Sequence, residues 1–349
     1  MGTETMKEAI QYLAEGKELG SELARTTMLE LMDGQCTPAQ IGAFLMGLRL
    51  RGEGPEELTG MAQAMRERSV RIRPQVNGTL VDVCGTGGAP LKTFNISTVS
   101  AFVIAGAGVA VAKHGNRSNT SKSGSADVLE ALGLNLEVSP EILEEAIEEI
   151  GIGFLFAPKF HPAMRHAIRP RRELGIRTVF NLLGPLTNPA GAEAHLMGVF
   201  HLELVEKFPA VLRSLGVKRA MVVHGIDGID EISTLGPTCV GELNEEEIRN
   251  YEITPEEFGL KRTTIDKIAN VQPQASARLT LEILKGKLRD ERYEIVLLNS
   301  GAGIYVAGGA ATIEDGLGKA QESIISGQAL EKLLGLIEKS GASTKVRVR

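Results

Sequence analysis

The chain has 349 residues, against about 100–200 for a single domain, so it forms one large domain or two smaller ones with ample material for a core. Its 44 acidic and 38 basic residues give a net charge of -6, which speaks against DNA or another polyanion as the main partner and leaves room for a local anion site. Cys36, Cys84 and Cys239 lie far apart with no C-x-x-C pair, which excludes a disulfide framework and zinc-ligand spacing and points to a reducing compartment.

The first residues, MGTETMKEAIQYLAEGKEL, carry acids early and lack an apolar leader core, so we expect a cytoplasmic protein. Up to about residue 72 the pattern is helical: a run from Thr5, another over Ser21 to Met32, a third opened by Thr37-Pro38 and a fourth by Pro55. Four short amphipathic helices offer more apolar face than they can bury among themselves, which predicts a homodimer unless the rest of the chain covers that face. After Pro74 to Gly78 strands and helices alternate, and this predicts a mainly parallel sheet. Strand candidates are Thr79 to Val83, Val109 to Ala112, Gly153 to Phe156, His195 to Val199, Arg219 to His224 and Thr238 to Leu243. Helix candidates are Ser97 to Gly106, Pro140 to Ile150, Leu202 to Leu215, Ala275 to Leu284, Glu291 to Ala307 and Ile313 to Ser326. The near-apolar run Val99 to Ala112, at 14 residues, is short of the ~20 of a membrane span and reads as core.

Four segments carry chemistry. Val83-Cys84-Gly85-Thr86-Gly87-Gly88 follows a strand, and such a turn aims successive N–H groups at an anion, although on its own it reads first as a tight connection. Cys84 beside it reads as a small buried residue rather than a nucleophile. Thr93 to Thr98 then precede an apolar helix as a cap or an anion site. Lys113 to Ser125, directly after the second strand, holds two lysines, one arginine and seven hydroxyl or amide side chains, a loop expensive to order without an anion. Asp227-Gly228-Ile229-Asp230-Glu231 suits Mg²⁺ with phosphate oxygens, although on its own it reads first as a solvated acidic turn. On the helix from His161 to Leu174, Arg165, Arg169 and Arg172 share an outward face, whereas Arg171 falls with Met164, Ala167 and Ile168 and wants a carboxylate partner. His161 and His166 lack metal-ligand spacing and read as structural.

Taken together, CGTGGAPLKTFNIST (84–98), KHGNRSNTSKSGSAD (113–127), RRELGIRTVFNLLGPLTNP (171–189) and HGIDGIDEIS (224–233) resemble the anthranilate phosphoribosyltransferase family over nearly the whole chain. The resemblance implies an α/β fold of the nucleoside phosphorylase/phosphoribosyltransferase type. A small N-terminal α-helical domain, residues 1–72 joined by a segment near 165–185, would carry the dimer contact, and a large α/β domain, 73–349, a mainly parallel central sheet. It implies transfer of phosphoribose from phosphoribosyl diphosphate to the amine of anthranilate, in tryptophan biosynthesis, with two Mg²⁺ ions and no dedicated catalytic acid or base. Gly85, Gly88, Ala89, Thr93, Asn95, Ile96, Ser97, Thr98, Lys113, His114, Gly115, Asn116, Arg117, Ser118, Asn119, Thr120, Ser121 and Ser125 would bind phosphoribosyl diphosphate. Ser97, Asp230 and Glu231 would serve the metal ions, and Asn116 with Arg171 would hold anthranilate. One position departs from the family pattern: its glycine turn usually continues with Asp, and here Ala89 and Pro90 follow. A related nucleoside phosphorylase is the second enzymatic reading, opposed by Arg171 and LGPLTNP. A nucleic-acid-binding relative would need a basic stripe, which the net charge of -6 opposes.

Overall fold

A computed structural model describes residues 3–118 and 122–341. The N-terminal part is four helices, α1 (Glu4–Ala14), α2 (Gly20–Met32), α3 (Pro38–Arg51) and α4 (Pro55–Glu67). Local chemistry starts them: Thr37 and Gln40 close a capping box on α3, and Pro38 and Pro55 sit in first turns where their missing N–H costs nothing. Buried Glu57 ties three of the helices, accepting from the Leu19 N–H at 3.0 Å and the Gly54 N–H at 2.8 Å and pairing with Arg51.

The rest is built on one seven-stranded sheet, β1 (Val81–Gly85), β2 (Val111–Gly115), β3 (Ile152–Phe156), β4 (Ala194–Gly198), β5 (Arg219–Gly225), β6 (Thr238–Asn244) and β7 (Glu247–Ile253). The order is β3-β2-β1-β4-β5-β6-β7, with β1 to β5 parallel and β6 and β7 antiparallel. The order reverses beside β1, so a crevice opens where the carboxyl ends of β1 and β4 diverge, the place where open α/β sheets bind ligands. β1, β2, β4 and β5 all end in glycine. At Gly198 the need is steric: a Cβ there would lie 1.7 Å from the Asp230 carbonyl oxygen.

One face of the sheet packs on α5 (Ile96–Gly106) and on the C-terminal helices Glu291–Val306, Ile313–Ile325 and Gln328–Lys339. On the other face Cys84, Met197, Ala220 and Val222 share a core with α1 to α4 and the helix Glu203–Ser214. The α/β part therefore covers much of the apolar face of the four helices, while Ala39, Ala43, Met46 and Leu50 of α3 stay exposed, Leu50 at 75%.

Three elements escape the sequence pattern. β7 is a polar edge strand, EIRNYEI, without apolar alternation. The helix Gln328–Lys339 starts straight after left-handed Gly327 with no side-chain cap, and α6 (Ser125–Ala131) is only 7 residues long. β2 also begins two residues later than expected, so Lys113, His114 and Gly115 belong to the strand and not to the loop after it. The segment from His161 is a single 3-10 turn, Pro162–Met164, followed by the helix Arg165–Leu174, which packs on α2 and α3.

Candidate active site

A cavity of about 530 Å³ lies at the crevice, between the strand ends and the helix Arg165–Leu174. Lys92, Lys113, Arg117, Arg165, Arg171 and Arg177 line it against two carboxylates, Asp230 and Glu231, so an acidic chain gathers a cationic pocket in one place. On one side the turn after β1 is pinned to β4: the Thr86 N–H donates to Gly198 O at 2.9 Å and the Phe200 N–H to Thr86 Oγ1 at 3.1 Å. The Gly87 N–H lies near enough to the Asp230 carboxylate to favour its charged form. The start of α5 has no side-chain cap, and the Ser97 N–H donates to Glu231 Oε1 at 3.3 Å instead.

Both carboxylates are half-buried. Burial pushes each above the ordinary carboxylate range, and the adjacent Asp230 charge pushes Glu231 further while Lys113 pulls it back. Lys113 is itself buried, donating to Val83 O and, at 3.3 Å, to Ser97 Oγ, and burial pulls its ammonium down. Across the cavity, the Arg171 guanidinium lies over the Phe180 ring at 5.0 Å. It is lowered by burial alone, with no carboxylate acting on it.

The chain matches the helical bundle domain of the Glycosyl transferase family over residues 7–69 and the a/b domain of that family over residues 77–330. Anthranilate phosphoribosyltransferase of Persephonella marina is 48% identical over 96% of this chain and 99% of its own, and that of Aquifex aeolicus 49% identical over 97% and 99%. The chain belongs to the anthranilate phosphoribosyltransferase family. The solved enzyme of that name from Thermus thermophilus superposes with a TM-score of 0.91 at 45% identity, covering 96% of this chain and 99% of its own. The one from Saccharomyces cerevisiae, in complex with PRPP and Mg, does so with a TM-score of 0.89 at 28% identity, covering 97% and 99%. Anthranilate phosphoribosyltransferases are pentosyl transferases of tryptophan biosynthesis, and this chain is an enzyme of that family.

Most residues that the family pattern marked do meet at the cavity: Gly85, Gly88, Thr93, Asn95, Ser97, Thr98, Lys113, His114, Gly115, Asn116, Arg117, Ser118, Ser125, Arg171, Asp230 and Glu231. Ala89 and Ile96 do not line it; both are buried, and Ile96, as the first residue of α5, turns its apolar side chain into the sheet core. Asn119, Thr120 and Ser121 lie outside the described residues. The Arg117 charge is engaged by α6, its guanidinium reaching Asp127 at 3.1 Å and Glu130 at 2.8 Å. Asn95 does not cap α5: its Nδ2 donates to Ser123 O at 3.2 Å and its Oδ1 accepts from Ser276 at 2.9 Å, which ties the loop before α6 in place. The three arginines read as outward are exposed, Arg169 pairing with Glu173, and Arg165, in the first turn of the helix, also reaches the rim of the cavity.

His114 is neutral. Burial, with His161 alongside, pulls it down to about 3, and its Nδ1 lies 3.1 Å from Gly184 O, so Nδ1 carries the proton and Nε2 keeps a lone pair. The Cys84 thiol is pushed well above its ordinary value by burial, which removes it as a nucleophile. Sequence reading missed Arg177, Lys92 and Asn270. Asn270 joins two loops, accepting from the Lys122 N–H at 3.0 Å and donating to Thr93 O at 3.0 Å, a role fixed by a contact over 177 residues that no local motif signals.

Proposed function

We propose that this cavity is where the chain transfers the phosphoribosyl group of 5-phosphoribosyl 1-diphosphate to the amine of anthranilate, giving N-(5-phosphoribosyl)anthranilate and diphosphate. The observation that carries the assignment is the division of charge. Backbone amides and buried lysine sit with paired carboxylates at the strand ends, while a half-buried arginine without a carboxylate faces them from the helical side. The first set suits a metal-bound diphosphate and the second an aromatic carboxylate.

Asp230 and Glu231 are hard oxygen donors, side by side and half-buried, with Lys113 and the Ser97 N–H as their neighbours, and this fits Mg²⁺ held jointly with phosphate oxygens. We assign Ser97, Asp230 and Glu231 to two Mg²⁺ ions. When bound, Mg²⁺ would neutralise charge developing on the departing diphosphate. The turn from Gly85 to Gly88 and Lys113 orient the same group and stabilise its charge without a proton transfer. Arg171, with Asn116, orients anthranilate so that its amine, already unprotonated at neutral pH, faces the anomeric carbon. No side chain is needed as a strong base; the free Nε2 of His114 can accept a hydrogen bond at the acceptor side.

The exposed apolar stripe Ala39, Ala43, Met46 and Leu50 on α3 supports a homodimer through the helical part, which we place at residues 1–72 with the segment near 165–185. Three free cysteines support a reducing, cytoplasmic location, and no helix of the described residues is long and apolar enough to cross a membrane. The test is consumption of anthranilate with phosphoribosyl diphosphate and Mg²⁺, beside a control with a nucleoside and phosphate. Turnover of the first mixture alone is expected; turnover of the control alone would make the chain a nucleoside phosphorylase.

A further inference from the structure

Arg177 lies between the helix Arg165–Leu174 and the short helix Phe180–Leu183 and lines the cavity. Its guanidinium stacks on the Phe200 ring, with Cζ 4.4 Å from the ring centroid, and donates a hydrogen bond to the carbonyl of Gly88. Phe200 is the residue whose N–H also holds Thr86. The glycine turn is thus gripped at its base by the strand ends and at its tip by Arg177, with Phe200 serving both grips. Gly88 has φ +81°, and a Cβ there would come within 2.9 Å of the Arg177 guanidinium, so the close approach depends on glycine. The next residue, Ala89, is buried and brings no polar side chain of its own to the turn.

Among the described residues no carboxylate pairs with Arg177. One carbonyl engages only part of a guanidinium with five N–H donors. Lys92, whose ammonium is pulled down first by burial, feels the Asp230 carboxylate and then the Arg177 charge, so two cations and one carboxylate meet at this turn.

We propose that Arg177 is a positioning residue for the diphosphate of the substrate: through the Gly88 carbonyl it fixes the tip of the glycine turn at the cavity, and it adds a fixed positive charge beside the leaving group. The inference rests on the assignment of diphosphate to this side of the cavity. Stacking and the planar fork are what distinguish arginine from lysine here, so Arg177→Lys keeps the charge and loses the grip.

The experiment is calorimetric titration of inorganic diphosphate with Mg²⁺ into wild type, Arg177→Gln and Arg177→Lys, alongside Michaelis constants for both substrates. Arg177→Gln is expected to weaken diphosphate binding and to raise the constant for phosphoribosyl diphosphate by about tenfold or more, the size of one lost charge-assisted hydrogen bond, and to leave that for anthranilate nearly unchanged. Arg177→Lys should fall between the two. Wild-type binding by Arg177→Gln, or a change confined to anthranilate, would overturn the role. Failure of wild type itself to bind diphosphate would overturn the assignment of the site beneath it.

Discussion

Arg171 is half-buried over Phe180, with burial as the sole influence on its charge, so the guanidinium has been taken from water without an ionic partner in the protein. Such a group gains most from a ligand carboxylate, at roughly 1.5–3 kcal/mol for charged hydrogen bonds. Arg171→Ala is expected to raise the Michaelis constant for anthranilate about tenfold or more with little change for phosphoribosyl diphosphate, whereas exposed Arg172→Ala should do much less. Equal effects of the two would show that Arg171 reads no carboxylate. A second residue-scale expectation concerns His161, whose Nε2 lies 3.1 Å from Thr187 O and which burial pulls from 6.5 down to about 4. Below pH 6.5 the unfolded chain takes up a proton that the folded chain refuses until about pH 4, so this contribution is complete above 6.5 and is lost as pH falls. Buried Asp82, pushed from 3.8 up to about 6, acts the other way, since the folded chain protonates it first. His161→Gln can keep the hydrogen bond and not the titration. Its urea stability should therefore fall less steeply than that of wild type between pH 6.5 and 4, by up to about 1.4 kcal/mol per pH unit. Parallel pH dependences would refute this.

At the scale of elements, the site depends on strand ends that nearly touch. Gly198 closes β4 against the Asp230 carbonyl, and Gly85, the last residue of β1, would bring a Cβ to 3.2 Å from Asp230 Oδ2. Gly198→Ala must push the Asp230-Glu231 segment away, and a cost of about 1–3 kcal/mol is expected from urea denaturation, as for other overpacked sites. Stability equal to wild type would mean that the segment shifts freely. This closeness also explains what the sequence makes legible. The glycine turn, the paired carboxylates and the polar loop before α6 are needed as contiguous residue types, so they stand out in the chain. Arg177 and Asn270 act through single contacts to distant backbone, and neither has a local pattern to betray it. Lys113 misled for a related reason: a charged residue opening a polar, glycine-containing run reads as loop, while the structure buries it in β2 and satisfies it with Val83 O and Ser97 Oγ. Arg117 reads as a free cation because its partners, Asp127 and Glu130, follow on a helix too short to recognise.

The whole molecule joins its helical and α/β parts through one continuous core and through Arg66 of α4, whose guanidinium donates to Leu186 O at 2.8 Å and Leu215 O at 2.9 Å. The cavity lies between the parts, so on the proposed assignment the two substrates would meet across that junction. What stays uncovered is the α3 stripe. Leu50→Glu, alone or with Met46→Glu, is expected to give a monomeric mass by light scattering where wild type gives a dimer, with the helical content unchanged; a wild-type monomer would remove the homodimer. The central claim is that the half-buried carboxylates in the loop after β5 serve a metal-bound diphosphate in this cavity. Its most direct test is the turnover of Asp230→Asn with Glu231→Gln, measured with phosphoribosyl diphosphate, anthranilate and limiting Mg²⁺ on protein shown to be folded. A loss of about 10²-fold or more is expected, the scale of one preorganised electrostatic group, whereas near-wild-type turnover would contradict the account.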